Sequence, residues 1–219
     1  LTGVDFGILM VGDTKNTVAT TDDVNYMALK ADVASAGLVG IDGLTAEVTT
    51  LSVEVNKTSS LTAPNTVLDF VNSDETINST DTNAASVTIA TGPDTADVIL
   101  DIDGDEGVLL AVMTNLTLDV FGFVSLDGSL AFKKPTGSLT VTNASTHTST
   151  ALTNVSYLEV GGHVTSAFAG VGSIGFALTG VDFGILMVGD TKNTAVATDD
   201  VNYMALKADV ASAGLVGID

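Results

Sequence analysis

Residues 174–190, IGFALTGVDFGILMVGD, decide the fold. Ile174, Phe176 and Leu178 alternate with small residues, and Val181, Phe183, Ile185 and Met187 then continue in the opposite phase. A period of two marks a strand with one apolar face, because successive side chains point to opposite sides. A one-residue slip exchanges the faces, so the change of phase at Thr179-Gly180 predicts a bend or bulge there. The same period recurs at Leu51, Val53 and Val55, around Ser52 and Glu54, and at Leu116, Leu118 and Val120, around Thr117 and Asp119. Abundant Thr, Val and Ile suit strands. Turn signals fall at Gly12-Asp13, Asp42-Gly43, Gly92-Pro93, Asp103-Gly104, Asp127-Gly128, Pro135-Thr-Gly137 and Gly161-Gly162. Within 23–36, Tyr26-Met-Ala-Leu-Lys30 is the one stretch that also fits a short helix. The polar run Asn72–Asn83 reads as an exposed loop.

The second half of that opening stretch is also a repeat. Residues 1–42 recur at 178–219 with 39 of 42 positions identical; the exceptions are Val18/Ala195, Ala19/Val196 and Thr20/Ala197. The period is 177 residues, far longer than a helical solenoid unit. Residues 1–177 therefore read as one full unit and 178–219 as the start of the next, and we expect a window of a longer tandem array. A weaker echo, Val39–Ala46 against Val124–Ala131, suggests an older duplication inside the unit.

Composition narrows the function. The 219 residues hold 27 acids against 7 Lys and no Arg, a net charge of −20, and the 177-residue unit alone has 21 acids and 5 Lys. Phosphate neutralisation needs clustered Lys or Arg, so a nucleic-acid or anionic-membrane partner is not expected. Zero Cys removes disulfides, thiolate metal sites and Cys nucleophiles. Apolar residues make up 45% of the chain, enough to build a core. No apolar run approaches the ~20 residues of a membrane-spanning helix. The aromatic girdles of an outer-membrane barrel are not supplied by three Tyr and no Trp.

Two all-β architectures fit. Tandem β-sandwiches would divide the unit into two domains of ordinary size. An elongated β-solenoid-like repeat fits better: corners are short and Gly-containing, small residues fill the presumed inward sites, and a sandwich core's bulky landmarks are missing, with 5% aromatics. At about 4.8 Å per coil of roughly 20–30 residues, one unit would extend about 30–45 Å.

Tyr26-Met-Ala-Leu-Lys-Ala, Leu38-Val-Gly-Ile-Asp-Gly-Leu-Thr and Leu51-Ser-Val-Glu-Val-Asn56, followed by Phe123-Val-Ser-Leu-Asp-Gly-Ser-Leu-Ala-Phe-Lys133, resemble the tandem units of giant bacterial repeat proteins. These are described as hemolysin-type calcium-binding or adhesin-like surface proteins. The resemblance implies a secreted, very long, repetitive surface or matrix protein. The calcium nonapeptide G-G-x-G-x-D is absent here, so no binding residue carries over.

The densest carboxylate cluster is Asp101-Ile-Asp-Gly-Asp-Glu106. Asp101, Asp103, Asp105 and Glu106 form a candidate calcium site, because a hard cation takes several carboxylate and carbonyl oxygens. An EF-hand would need Glu at the twelfth position, where Val112 stands; the alternative is an acidic turn. Asp22-Asp23 and Asp199-Asp200 read as solvated loop charges, and His147 and His163 as exposed turn histidines. Asn56, Asn78, Asn115, Asn143 and Asn154 each begin a glycosylation sequon, as a Thr- and Asn-rich composition produces. There is no nucleophile elbow, P-loop or dinucleotide fingerprint, so no enzyme is expected. The expectation is a structural extracellular repeat protein that forms a rod or filament at the cell surface or in the matrix, its partners being adjacent copies, with lateral self-association. The alternative is an adhesin stalk or a carbohydrate- or ice-binding module.

Overall fold

The computed structural model describes residues 1–71, 85–192 and 198–218; the loop expected at 72–83 and the three positions that differ between copies lie wholly or partly outside them. The described chain is all-β. Eleven strands form: β1 (Thr2–Asp13), β2 (Val24–Gly37), β3 (Leu44–Thr58), β4 (Val87–Ile89), β5 (Val98–Leu100), β6 (Leu109–Val120), β7 (Val124–Lys133), β8 (Thr136–Thr142), β9 (Ser149–Val171), β10 (Ile174–Asp190) and β11 (Val201–Val216). The main sheet runs β1-β2-β3-β6-β7-β9-β10-β11, every neighbour antiparallel, with β8 paired to β9 and a separate β4–β5 hairpin. It is an open meander; no solenoid coil is found among the described residues. No helix among them is long and apolar enough to cross a membrane.

The stretch that also fits a helix, Tyr26–Lys30, is strand. Tyr26, Ala28 and Lys30 fall on one face, and Met27 and Leu29 on the other, which a helix would not separate.

Bulges keep one face apolar along the full length of the strands. In β10 the pairing passes from Thr179↔Ser166 to Val181↔Val164, leaving Gly180, at a φ of 58°, and Thr165 opposite it both out of the ladder, so the register of β10 on β9 is kept. The predicted irregularity is therefore present at Gly180, but the register shift that goes with it lies between β9 and β7, at Asp127/Gly128; traced across the sheet, it returns Phe176 and Leu178 to the face that carries Val181, Phe183 and Ile185. The register of β3 on β6 shifts between Thr49 and Ser52, with Thr50 at φ 51°. Asn115 Nδ2 donates to Thr50 Oγ1 at 2.8 Å and holds that bulge.

The two faces of the sheet differ. The outer face carries Val4, Phe6, Ile8 and Met10 of β1, then Leu29, Val53, Val112, Phe132, Val160, Ile185 and Leu206 across the successive strands. Asp5, Lys30, Glu54, Lys133, Glu159 and Asp182 fall on the inner face. Two lobes cover parts of the inner face. The first is the β4–β5 hairpin with its flanks, which buries Phe70, Val98, Leu100 and Ile102 against Ala28, Leu109 and Ala111. The second is β8 with the first half of β9, which buries Leu152 and Val155 against Val188, with Leu186 and Tyr203 alongside.

Not every glycine signal marks a turn. Gly161-Gly162 lies inside β9 and Asp127-Gly128 inside β7. Both are close approaches: a Cβ on Gly162 would lie 2.5 Å from the Phe183 ring and 2.9 Å from Leu130 Cδ2, and one on Gly128 would strike the His163 carbonyl oxygen.

Candidate functional site

The Asp101–Glu106 segment leaves β5 and ends in a short 3-10 turn, Gly104–Glu106. Asp103 Oδ1 accepts from the Asp105 backbone N at 2.9 Å and caps that turn. Asp69 Oδ1 accepts from the Gly104 N at 2.9 Å and ties the turn to the first lobe. The other two acids reach down to the sheet. Asp101 Oδ1 accepts from Lys30 Nζ at 2.5 Å, and the same ammonium lies 3.6 Å from Glu54 Oε1. Glu106 Oε1 accepts from Lys133 Nζ. The four candidate ligands are therefore spread over separate tasks, and among the described residues no three His, Asp or Glu side chains gather as metal ligands do.

Electrostatics follow from this packing. Burial pushes the Lys30 ammonium down, but the Asp101 hydrogen bond and the Asp101 and Glu54 charges outweigh it, so its pKa stands above the ordinary lysine value. Burial raises the Glu54 carboxyl; Lys30 opposes that shift, while Asp101 and Glu106 add to it. Lys30→Met should cost about 2 kcal/mol at neutral pH, because it strands Glu54 and Asp101 without a cation. A pKa raised on folding means that Lys30 contributes fully below the unfolded lysine value of about 10.4, and that the contribution is lost as pH rises through the folded value. Denaturant melts of the wild type should accordingly lose stability above about pH 10.4, and Lys30→Met should remove that part of the alkaline slope.

His163 is not in a turn. It stands in β9, with Nδ1 2.7 Å from Asp182 Oδ1 on β10. His147 does occupy a turn, at φ 55°. Asn56 is fully buried, and its Nδ2 donates to the Leu68 carbonyl at 2.6 Å, so this sequon is closed to modification in the folded chain. Asn115, Asn143 and Asn154 are exposed, and Asn78 lies outside the described residues.

The repeat supplies the most informative geometry. β1 pairs with β2 as β10 pairs with β11: Asp5↔Asp32 becomes Asp182↔Asp209, and Met10↔Met27 becomes Met187↔Met204. The surroundings of the two copies differ. β10 has β9 on its other side, whereas β1 is an edge of the sheet; β2 has β3 on its other side, whereas β11 is the opposite edge. Phe6 is 60% exposed, but its counterpart Phe183 is half-buried beside Gly162 of β9. On the inner face, a groove of about 490 Å³ runs between the two lobes, lined by Met113, Lys133, Glu159, Gly184, Leu186, Ala205 and Lys207 among others. The chain matches no protein-family model, no curated protein and no solved structure.

Proposed function

We propose that this is a structural extracellular repeat protein whose units join edge to edge in one continuous sheet, making a rod or filament at the cell surface or in the matrix. One observation carries the reading: the second copy of the β1–β2 hairpin is seated on β9 in unchanged register, so the edge that β9 fills on β10 is the edge left open on β1. Likewise, the side of β2 that holds β3 is the side left open on β11. Adjacent copies are thus the natural partners of both edges. The elongation expected of a solenoid is carried here by strands laid side by side. One period of the sheet, from β1 up to β10, is six strands (β1, β2, β3, β6, β7 and β9), and at about 4.8 Å each they advance the rod by about 29 Å per unit. The right-handed strand twist would wind it about its axis. The extracellular placement rests on the resemblance to surface repeat proteins.

Small-angle scattering on chains of two, three and four units tests this. The maximum dimension should grow by about 29 Å per added unit. Growth by the square-root law of loosely tethered beads would overturn it.

The outer face favours lateral pairing of two such sheets. Met10 is 75% exposed, Met204 72% and Leu206 64%. Eight strands offer on the order of 1,000 Å² on that side, above the ~800 Å² per partner of a standard interface. Packing apolar face to apolar face would also leave the acidic inner faces outward.

Calcium in this reading acts by screening a rod that carries about −16 per 177-residue unit. Calcium and magnesium should raise the melting temperature equally, and Asp103→Asn should leave that rise intact. A rise specific to calcium that Asp103→Asn abolishes would instead assign an ordered cation site to the turn.

A further inference from the structure

The two lobes use one hairpin sequence, and each copy of it shows a different lobe. On the first copy, Leu9 packs against the first lobe, beside buried Ala28. On the second copy, its counterpart Leu186 packs against the second lobe, beside buried Val188. Sequence and register are the same in both, so the two footprints fall on one surface and share this leucine. Neither lobe fills that surface alone. Leu9 and Leu186 both stay half-buried, and Val11 is half-buried where its counterpart Val188 is buried. The Asp13 side chain is 40% exposed, that of its counterpart Asp190 only 8%. On the second copy a gap of about 190 Å³ lies between Leu139, Val141 and Leu152 of the second lobe and Tyr203 and Ala205 of the hairpin. On the first copy a gap of about 570 Å³ stands beside Tyr26, the residue that matches Tyr203, and residues 59–63 form one of its walls. Leu61 on that wall is 96% exposed.

We infer that the second lobe of one unit docks against the first lobe of the next, side by side on the hairpin they share. Half of the arrangement is present already: Leu152 and Val155 of one unit lie on Val188 of the following one. The first lobe of that following unit comes with its own hairpin, as in the first copy. With both lobes in place, the shared leucine is covered from two sides, and the second lobe enters the gap beside the tyrosine. The apolar edge formed by Leu139 and Val141 then meets the wall that carries Leu61, and burial of these side chains drives the contact. The second lobe is also tied to the first lobe of its own unit, where Asn65 Nδ2 donates to Asn154 Oδ1 at 2.8 Å. Each second lobe is thus held by two first lobes, one from each unit. The inference rests on the tandem reading above and adds a joint between units that is separate from the strand ladder.

The test uses a chain of two full units followed by residues 1–42, with cysteine introduced at Leu61 of one unit or the other; the natural sequence has none. Leu61 is exposed, so the change leaves either unit folded. Only the Leu61 of the second unit has a second lobe before it. Leu61→Cys there should react with maleimide at least about tenfold more slowly than in the first unit, because the thiol then reacts only through local opening. Val141→Cys in the first unit should be joined to Leu61→Cys in the second by a short bis-maleimide. Slow labelling without that cross-link overturns the contact named here. Hydrogen exchange of β11 amides, compared between the 219-residue chain and the two-unit chain, reads the strand ladder separately. Protection gained along β11 with equal labelling in both units overturns lobe docking alone. Equal labelling with no gain in protection overturns the tandem sheet as well.

Discussion

Leu100→Ala should remove about 3 kcal/mol of stability, the largest loss expected from any single truncation in this chain. Leu100 has no exposed surface and sits in the middle of the cluster formed by Phe70, Val98, Ile102, Leu109 and Ala28. The lobe has little else to hold it. Its hairpin consists of two three-residue strands, and a short isolated hairpin is marginal in water, so its order depends on the apolar contact with the main sheet. The truncation removes buried methyl groups and leaves a cavity between lobe and sheet. It should also loosen Asp101 from Lys30, so that the Lys30→Met cost falls in the Leu100→Ala background, a coupling that a double-mutant cycle reads directly. Ile99, on the other face of the same strand and 51% exposed, is the control: Ile99→Ala should stay within about 0.5 kcal/mol. A loss below about 1 kcal/mol at Leu100 would mean that the lobe is not packed as described.

Gly162→Val is expected to be nearly as damaging, for the opposite reason. The Phe183 ring and Leu130 fill the space where a side chain on Gly162 would stand. Adding three carbons there pushes the ring off β9 and should cost about 2–3 kcal/mol by overpacking. Phe183→Ala alone should cost about 3 kcal/mol or less, since Phe183 is half-buried. The two changes together should be less harmful than their sum, because the valine occupies volume that the ring vacates. Additive costs in the double variant, measured by urea denaturation, would place the Gly162 effect in the backbone rather than in this contact.

Those two residues show what the sequence could and could not disclose. The strands themselves were legible, because alternation at Leu51–Val55, Leu116–Val120 and Ile174–Met187 is a local signal. The phase change at Thr179-Gly180 even located the irregular position of β10, where Gly180 takes a φ of 58°. Gly161-Gly162 and Asp127-Gly128 were misread as turns because glycine gives one local signature for two causes. A turn needs a backbone angle, whereas these positions need an absent side chain, and the neighbour that demands it comes from another strand. The meander was hidden for the same reason: alternation reports that a face is buried and says nothing of the direction in which the next strand runs. At the acidic turn, the density of carboxylates was visible, but their partners were not. Lys30 lies 71 residues before Asp101 and meets it only once β2 and the first lobe are both in place. No spacing rule encodes that contact. The repeat, by contrast, was legible in full, and the open surfaces of its second copy follow from comparing identical strands in different company.

The matched registers of β1–β2 and β10–β11 also bear on inheritance. Unequal crossing-over between two near-identical 42-residue segments adds or deletes whole multiples of 177 residues, and at such a junction each strand finds the neighbour it had before. The gene can therefore lengthen or shorten its product without any intermediate that misfolds. A deletion of any other size sets a strand against a stranger and turns oily side chains toward water. Selection on folding alone would then keep the copies alike at the seam, while the segments between seams are free to drift.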